Sequence, residues 1–343
     1  MKKKLLIITQ VVDTNHPILG FFHGWLAEFA AQCETVHVIA LEVGAHTLPS
    51  NVTVHSLGKE AGESRLKYLR RFYLTIFVLR HEYDAVFVHM NQVYVILGGL
   101  LWRLWGKRIG LWYVHGTVSA SLRLALLLTH KVFSVTQESF PLLTHKLVAT
   151  GHGIDTDLLK PATSEKQFDF ITVGRVTPSK NLETLIELFA EIASPAPYSL
   201  IIVGPFSSST DAQYQRQLVT LVEQKGLTSH ITFYGGMAHD ELVPLLQRSR
   251  VFLHTARNGG LDKAVLEAMS VGLPVVTMAV INSELPLSGG YVTTSDDFVR
   301  QARAMVQLST SPIPDNEGRR FVVANHSIKA LIPKILTVYD IKN

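Results

Sequence analysis

The sequence predicts an α/β protein built as two doubly wound parallel-sheet units in tandem. Strand-length apolar runs alternate with helical patterns along the chain, and the alternation restarts after Gly151-His-Gly-Ile-Asp155. Residues suited to anionic ligands stand just after several of the apolar runs, where open parallel sheets bind their ligands.

In the first half, strands fit 4–9, 36–41, 52–57, 85–89, 108–114 and 131–135. Helices fit 21–32, 64–80, 93–105 and 119–129 between them. The apolar residues Leu66, Leu69, Phe72, Tyr73, Ile76 and Phe77 repeat at helical spacing, which predicts a mostly core-facing stripe. In the second half, strands fit 168–173, 198–203, 231–234, 251–254 and 274–278, with helices at 182–192, 211–225, 240–247 and 263–271. A last helix at 327–339 fits either unit. Two facing sheets would put their strand ends on opposite walls of one cleft.

Composition bounds the function classes. The 343 residues suit two domains, and 47% hydrophobic against 17% charged residues exclude a disordered chain. A single cysteine, Cys33, excludes internal disulfides and cysteine-rich zinc sites. Met1-Lys-Lys-Lys leads straight into an apolar run of strand length, so the reading is of no signal peptide and a cytoplasmic location. The longest uncharged stretch, 86–102, carries His89, Asn91 and Gln92 and reads as strand, loop and helix rather than a membrane span. Net charge is +4, with basic residues gathered at Arg65, Lys67, Arg70, Arg71 and Arg80 and again at Arg103, Lys107 and Arg108. That gathering is either a solvated helix face or a peripheral contact with an anionic membrane at its inner face. No nucleic-acid reader motif accompanies it.

The strongest local pattern is Val173-Gly-Arg-Val-Thr-Pro-Ser-Lys-Asn181. A strand ends at Gly174, and Arg175 and Lys180 flank a turn before the next helix. Two cations beside a helix amino terminus make an anion site. The second pattern is Asn258-Gly-Gly-Leu-Asp-Lys-Ala-Val-Leu-Glu267, followed by Gly272-Leu-Pro274. Gly259 and Gly260 permit close backbone approach, and Asp262 suits the cap of the helix that follows. Glu267 lies among apolar neighbours and needs partners, either vicinal ribose hydroxyls or protein groups. His115 follows the fifth strand, where it contacts a sugar hydroxyl or is simply structural. The long first loop, 10–20, offers Asp13, Asn15 and His16 as acceptor contacts, with Gly20 letting a donor approach the next helix. No Walker loop or complete Gly-x-Gly-x-x-Gly fingerprint follows the first strand, and no Asp-x-Asp or histidine–carboxylate cluster stands out for a metal.

Together these residues resemble the family-4 retaining glycosyltransferases (glycosyl transferases group 1) of the GT-B fold. The likeness runs over nearly the whole chain: the loop ending at Gly20, His115 in Tyr-Val-His-Gly, Gly153-Ile-Asp155, Gly174-Arg175 with Lys180, Val203-Gly204-Pro205, Phe233-Tyr-Gly235, and Leu266-Glu267-Ala-Met with Gly272-Leu-Pro274. The resemblance implies two Rossmann-like parallel-sheet domains facing a central cleft: an acceptor domain over 1–155, a donor domain over 156–325, and a last segment, 326–343, packing back on the first.

It also implies roles. His115, Arg175, Lys180 and Asp262 would carry the chemistry. Gly20, Gly174, Gly204, Pro205, Gly235, Gly259, Gly260, Leu261, Lys263 and Glu267 would join Arg175, Lys180 and Asp262 around the donor, with Glu267 on the ribose and the loops after Val203 and Tyr234 on the base. The family's first glutamate, eight positions before the second, is Gly259 here, so the paired-glutamate motif is incomplete. A Gly-x-Leu-Asp-Lys variant matches instead, which passes contacts near the sugar to Asp262 and Lys263. The implied reaction moves a sugar from a UDP- or GDP-sugar to a hydroxyl acceptor in glycan or glycolipid assembly. It retains configuration and uses neither metal nor cofactor. A catalytically silent scaffold and a nucleotide-sugar epimerase are the rivals.

Overall fold

The structure is a computed structural model that describes residues 2–114, 116–194, 196–206, 208–256, 260–309 and 317–339. The chain divides into two compact units, Met1–Gly153 with Asn325–Asn343, and Ile154–Ala324.

The first unit runs β1 (Lys4–Val12), α1 (Phe22–Gln32), β2 (Thr35–Val43), β3 (Val52–Ser56), α2 (Arg65–Val78), β4 (Ala85–His89), α3 (Gln92–Leu104), β5 (Arg108–Trp112), α4 (Ala120–Leu128), β6 (Lys131–Ser134) and β7 (Leu147–Ala149). Its seven strands are parallel, in the order β3-β2-β1-β4-β5-β6-β7. Leu5 to Ile8 are all fully buried, as a parallel strand covered on both faces requires. The three-residue β7 was not expected, because it is too short to carry a period.

On one face, Phe72, Ile76, Trp102, Leu122 and Ala125 from α2, α3 and α4 form the core with the strands. Here one expectation fails. Of the predicted α2 stripe only Phe72 and Ile76 are buried, while Leu66 is 78% and Phe77 55% exposed. Two neighbouring core residues suffice to seat α2, so the ends of its apolar stripe meet solvent.

The second unit runs β8 (Phe168–Val173), α5 (Leu182–Ile192), β9 (Leu200–Val203), α6 (Ser209–Gln224), β10 (Ile231–Gly235), α7 (His239–Arg248), β11 (Ser249–His254), α8 (Lys263–Ser270), β12 (Val275–Thr277) and α9 (Ser295–Leu308). Then come α10 (Glu317–His326) and α11 (Ile328–Val338), as the chain returns to the first unit. Five parallel strands take the order β10-β9-β8-β11-β12. Helices α5, α6 and α9 cover the sheet through Leu185, Phe189, Leu218, Phe298 and Val306. The reading from sequence left α9 and α10 unassigned, although Phe298, Val299, Ala302 and Val306 in α9 are spaced as a helix face.

Helix α11 packs beside α1 in the first unit. Just beyond it, the Tyr339 hydroxyl donates to the Val86 carbonyl at 3.0 Å. Gly110 on β5 makes room: a Cβ there would stand 2.3 Å from the Tyr339 hydroxyl.

In the second unit the chain winds outward from β8 to β10, then crosses to the other side of β8 for β11. Such a switch opens a crevice at the carboxyl ends of the two strands, here β8 and β11. In the first unit the switch lies between β1 and β4.

Candidate functional site

Glycines end the strands at the carboxyl edge of the second sheet, and the one after β9 lets its strand end close up on that of β8. The Gly174 N–H donates to Val203 at 2.9 Å, and the Gly204 N–H to Gly235 at 2.8 Å. A Cβ on Gly204 would fall 1.8 Å from the Gly174 carbonyl oxygen, so no larger residue fits without moving backbone. Gly235 has φ +72°, which favours glycine. The Pro205 carbonyl accepts the Val176 N–H at 2.9 Å and ties the loop after β9 to the loop after β8.

After Gly174 the chain exposes Arg175, whose guanidinium has no hydrogen-bond or ion-pair partner among the described residues. A short 3-10 turn, Pro178–Lys180, then leads into Asn181. Asn181 is left-handed, at φ +53°, and asparagine is among the few residues that tolerate this. Its Nδ2 donates to the Thr255 carbonyl at 3.2 Å, and Thr255 Oγ1 donates back to the Asn181 carbonyl at 3.1 Å. These bonds fasten the cation-bearing loop to the segment just after β11. The first N–H of α5, that of Leu182, is already taken by the Tyr214 hydroxyl at 3.2 Å.

Lys180 is engaged. Its ammonium forms an ion pair with Asp262 Oδ2, an oxygen that also lies 3.2 Å from His254 Nε2. Asp262 Oδ1 accepts the Ala264 N–H at 3.3 Å and caps α8, as its position predicts. Burial alone would raise the Asp262 carboxyl. The His254 hydrogen bond and the Lys180 charge outweigh it and hold the group well below the usual carboxylate range.

One turn further along α8, Glu267 is 4% exposed. Its Oε1 accepts from His239 Nε2 at 2.9 Å and from Lys263 Nζ at 3.1 Å. Burial opposes the charge, but Lys263 and His239 together pull the carboxyl down to about 2. Burial lowers Lys263 in turn, against the pull of Glu267 and Asp155. Oε2 of Glu267 takes no hydrogen bond among the described residues. Glu267 thus meets its need for partners within the protein, while keeping one acceptor oxygen.

The structure therefore brings Gly174, Arg175, Lys180, Asp262, Lys263 and Glu267 into one unit, at the β8/β11 switch and along α8. Leu261 is buried and Gly260 exposed just before that helix. Gly259 and His115 lie outside the described residues.

Asp13, Asn15, His16 and Gly20 belong to the first unit, after β1. There Asp13 Oδ1 accepts the Asn15 N–H at 2.9 Å, and His16 Nδ1 accepts those of Ile18 and Leu19 at 3.2 and 3.0 Å. Gly20 lies so close that a Cβ would meet the Thr14 and His16 carbonyls at 2.7 Å. Much of the polar capacity of this loop holds the loop itself.

Sequence reasoning missed His239, which has no local signal and reaches Glu267 only through the fold. It also missed the group of Thr277 and Asn282 around His254. Among the described residues no set of three or more His, Cys, Asp or Glu side chains is arranged to hold a metal ion.

Residues 154–284 match the family described as Glycosyl transferases group 1, so the second unit carries such a domain. The chain is 24% identical over 182 residues to a phosphatidylinositol N-acetylglucosaminyltransferase protein of Arabidopsis thaliana, covering 51% of this chain and 40% of that protein. It is 30% identical over 155 residues to a putative colanic acid biosynthesis glycosyltransferase of Salmonella typhimurium, covering 41% of this chain and 36% of that one. The chain thus spans well under half the length of either relative in the aligned part.

Among solved structures, Anabaena HepE in complex with UDP and glucose superposes with a TM-score of 0.76 at 18% identity, over 98% of this chain and 99% of that chain. Sucrose-phosphate synthase from Thermosynechococcus elongatus gives 0.75 at 15%, over 98% of both. Both share the fold, two Rossmann-like units of the GT-B kind.

Proposed function

We propose that this chain, whose second unit carries a glycosyl transferases group 1 domain, is a glycosyltransferase. In this reading it moves a sugar from a UDP- or GDP-sugar to a hydroxyl acceptor. The observation that carries the reading is the unpaired Arg175 guanidinium at the β8/β11 switch, on a loop bonded to the end of β11. A diphosphate is the ligand that such a planar cation binds bidentately.

In this reading Arg175 takes two phosphate oxygens. Lys180, oriented by Asp262, offers its remaining N–H groups, and Glu267 Oε2 accepts a ribose hydroxyl. His115, Gly20, Gly204, Pro205, Gly235, Gly259, Gly260 and Leu261 keep the donor-side roles that the resemblance implies, and Asp13, Asn15 and His16 the acceptor-side ones. The leaving diphosphate gains negative charge as the glycosidic bond breaks. Fixed cations stabilise that charge without reorganising, which is the basis for reading transfer as metal-independent; the reading of it as retaining comes from the resemblance alone. Anabaena HepE was solved with UDP and glucose, which supports a nucleotide-sugar donor.

The test has two steps. Melting temperatures with a panel of nucleoside diphosphates and nucleotide sugars identify the donor, since a specific ligand stabilises by mass action. Labelled donor is then incubated with and without hydroxyl acceptors in excess EDTA. Transfer of label with retained anomeric configuration is expected. Loss of all activity, restored only by magnesium or manganese, would overturn metal independence. Binding without transfer to any acceptor would favour a silent scaffold, and interconversion of the sugar an epimerase.

A further inference from the structure

We propose that His254 is a positioning residue of the anion site: held in one tautomer by Thr277, it shares Asp262 Oδ2 with Lys180 and so sets where the Lys180 ammonium stands. This rests on the donor-site reading above.

His254 ends β11 and is 4% exposed. Its Nδ1 lies 2.9 Å from Thr277 Oγ1 at the end of the neighbouring strand β12. Thr277 Oγ1 accepts from the Ala279 N–H at 3.1 Å, and Asn282 Nδ2 lies 3.2 Å from Thr277 Oγ1 and 3.3 Å from His254 Nδ1. An amide nitrogen only donates: given to His254 Nδ1 it makes Nδ1 an acceptor, and given to Thr277 Oγ1 it fills the second lone pair and leaves the hydroxyl only its proton, which goes to Nδ1. Nδ1 is therefore an acceptor, and Nε2 carries the ring proton. It donates that proton to Asp262 Oδ2 at 3.2 Å.

The consequence falls on Asp262. Its Oδ1 is held by the Ala264 N–H of α8, and its Oδ2 by His254. The carboxylate is thus pinned at both oxygens before Lys180 arrives from a loop 82 residues away. A carboxylate held only by Lys180 would follow the motion of that long side chain. The His254 proton also draws on the charge of Oδ2, so less of the Lys180 charge is cancelled and more is left for a phosphate. A histidine that merely filled the core would affect stability alone. A positioning histidine affects ligand affinity, and does so only while Lys180 is present.

The experiment is calorimetric titration of UDP and GDP into the full chain, with melting temperatures recorded for each variant. Replacing the donor without replacing the carboxylate leaves a buried acceptor short of a partner, so His254→Leu should weaken the better-bound nucleotide roughly tenfold. His254→Gln should recover most of this, because its amide N–H reaches about as far as Nε2. In a Lys180→Met background, His254→Leu should have no further effect. Thr277→Val, which removes only the hydroxyl, serves if His254→Leu does not fold, and should weaken binding in the same direction by a smaller factor. Equal losses with and without Lys180, or no loss in folded variants, would overturn the proposal alone. No binding by the unmutated protein would fail the donor-site reading, and this proposal with it.

Discussion

Arg175 and Lys180 share one loop but stand in different electrostatic states. Lys180 is paired with Asp262, whereas Arg175 faces solvent with no partner among the described residues. An uncommitted guanidinium contributes fully when a diphosphate arrives. Arg175→Ala should therefore lower kcat as well as donor affinity, by about 10²–10³ in kcat for one lost preorganised donor. Arg175→Lys should recover part, because an ammonium lacks the fork. Steady-state kinetics on variants with unchanged melting temperature checks this, and near-normal kcat in Arg175→Ala would mean that the diphosphate is held elsewhere. These residues were legible because each sits in a local pattern, with Gly174 before Arg175 and a cap at Asp262. His239 was not, since it begins a helix of another segment and meets Glu267 28 residues away.

At the scale of elements, the site depends on how closely three strand ends approach. Gly174, Gly204 and Gly235 end β8, β9 and β10 and are bonded to one another's strands, and of the three only Gly204 lies against neighbouring backbone. Gly204→Ala must displace the Gly174 carbonyl and, with it, the start of the Arg175 loop. Overpacking of this kind typically costs about 1–3 kcal/mol. The urea midpoint should fall by an amount that corresponds to this, and nucleotide affinity should fall with it. A variant with the wild-type midpoint would show that the strand ends have slack. That these glycines follow strands was readable in the chain. Their mutual distance was not, because it is set by the register between strands.

At the scale of the molecule, the chain passes between its two units twice, at Gly153–Ile154 and at Ala324–Asn325. No helix among the described residues is long and apolar enough to cross a membrane. The first unit nonetheless shows solvent an uncommon surface. Helices α2 and α3 are joined by the Tyr73 hydroxyl on the Leu97 carbonyl, and α3 and α4 by Gln92 on Ser121. Between them they expose Leu66 and Phe77, Leu100 and Leu104, and Leu124 and Leu127. Arg65, Arg70 and Arg123 on α2 and α4 have no ion-pair partner among the described residues.

Apolar side chains interleaved with free cations suit the surface of an anionic bilayer, where each basic residue contributes roughly 1 kcal/mol. The protein should float with anionic liposomes at low salt and be released as salt screens the charges. Arg65→Ala with Arg70→Ala should weaken partitioning by tenfold or more, and Leu104→Ser with Leu127→Ser should weaken it without changing its salt dependence. No flotation with anionic liposomes at low salt would remove this idea and favour a soluble acceptor.

By itself the sequence determined that the protein is two parallel-sheet units, and that Arg175, Lys180 and Asp262 stand in loops between a strand end and a helix start. Both follow from local information. Short apolar runs such as Leu5–Ile8, alternating with helical patterns, read as strands buried on two faces, and a glycine followed by a cation after such a run is read within a few residues. Tertiary structure alone decided the rest. It set Lys180 against Asp262 and His239 against Glu267, and it left the ends of the α2 stripe in solvent. It also brought α11 back to α1 and laid Tyr339 over Gly110. Each of these depends on groups from distant segments meeting at fixed distances. Periodicity tells which face of an element is apolar, but sheet order and packing choose what that face, or a charge beside it, will touch.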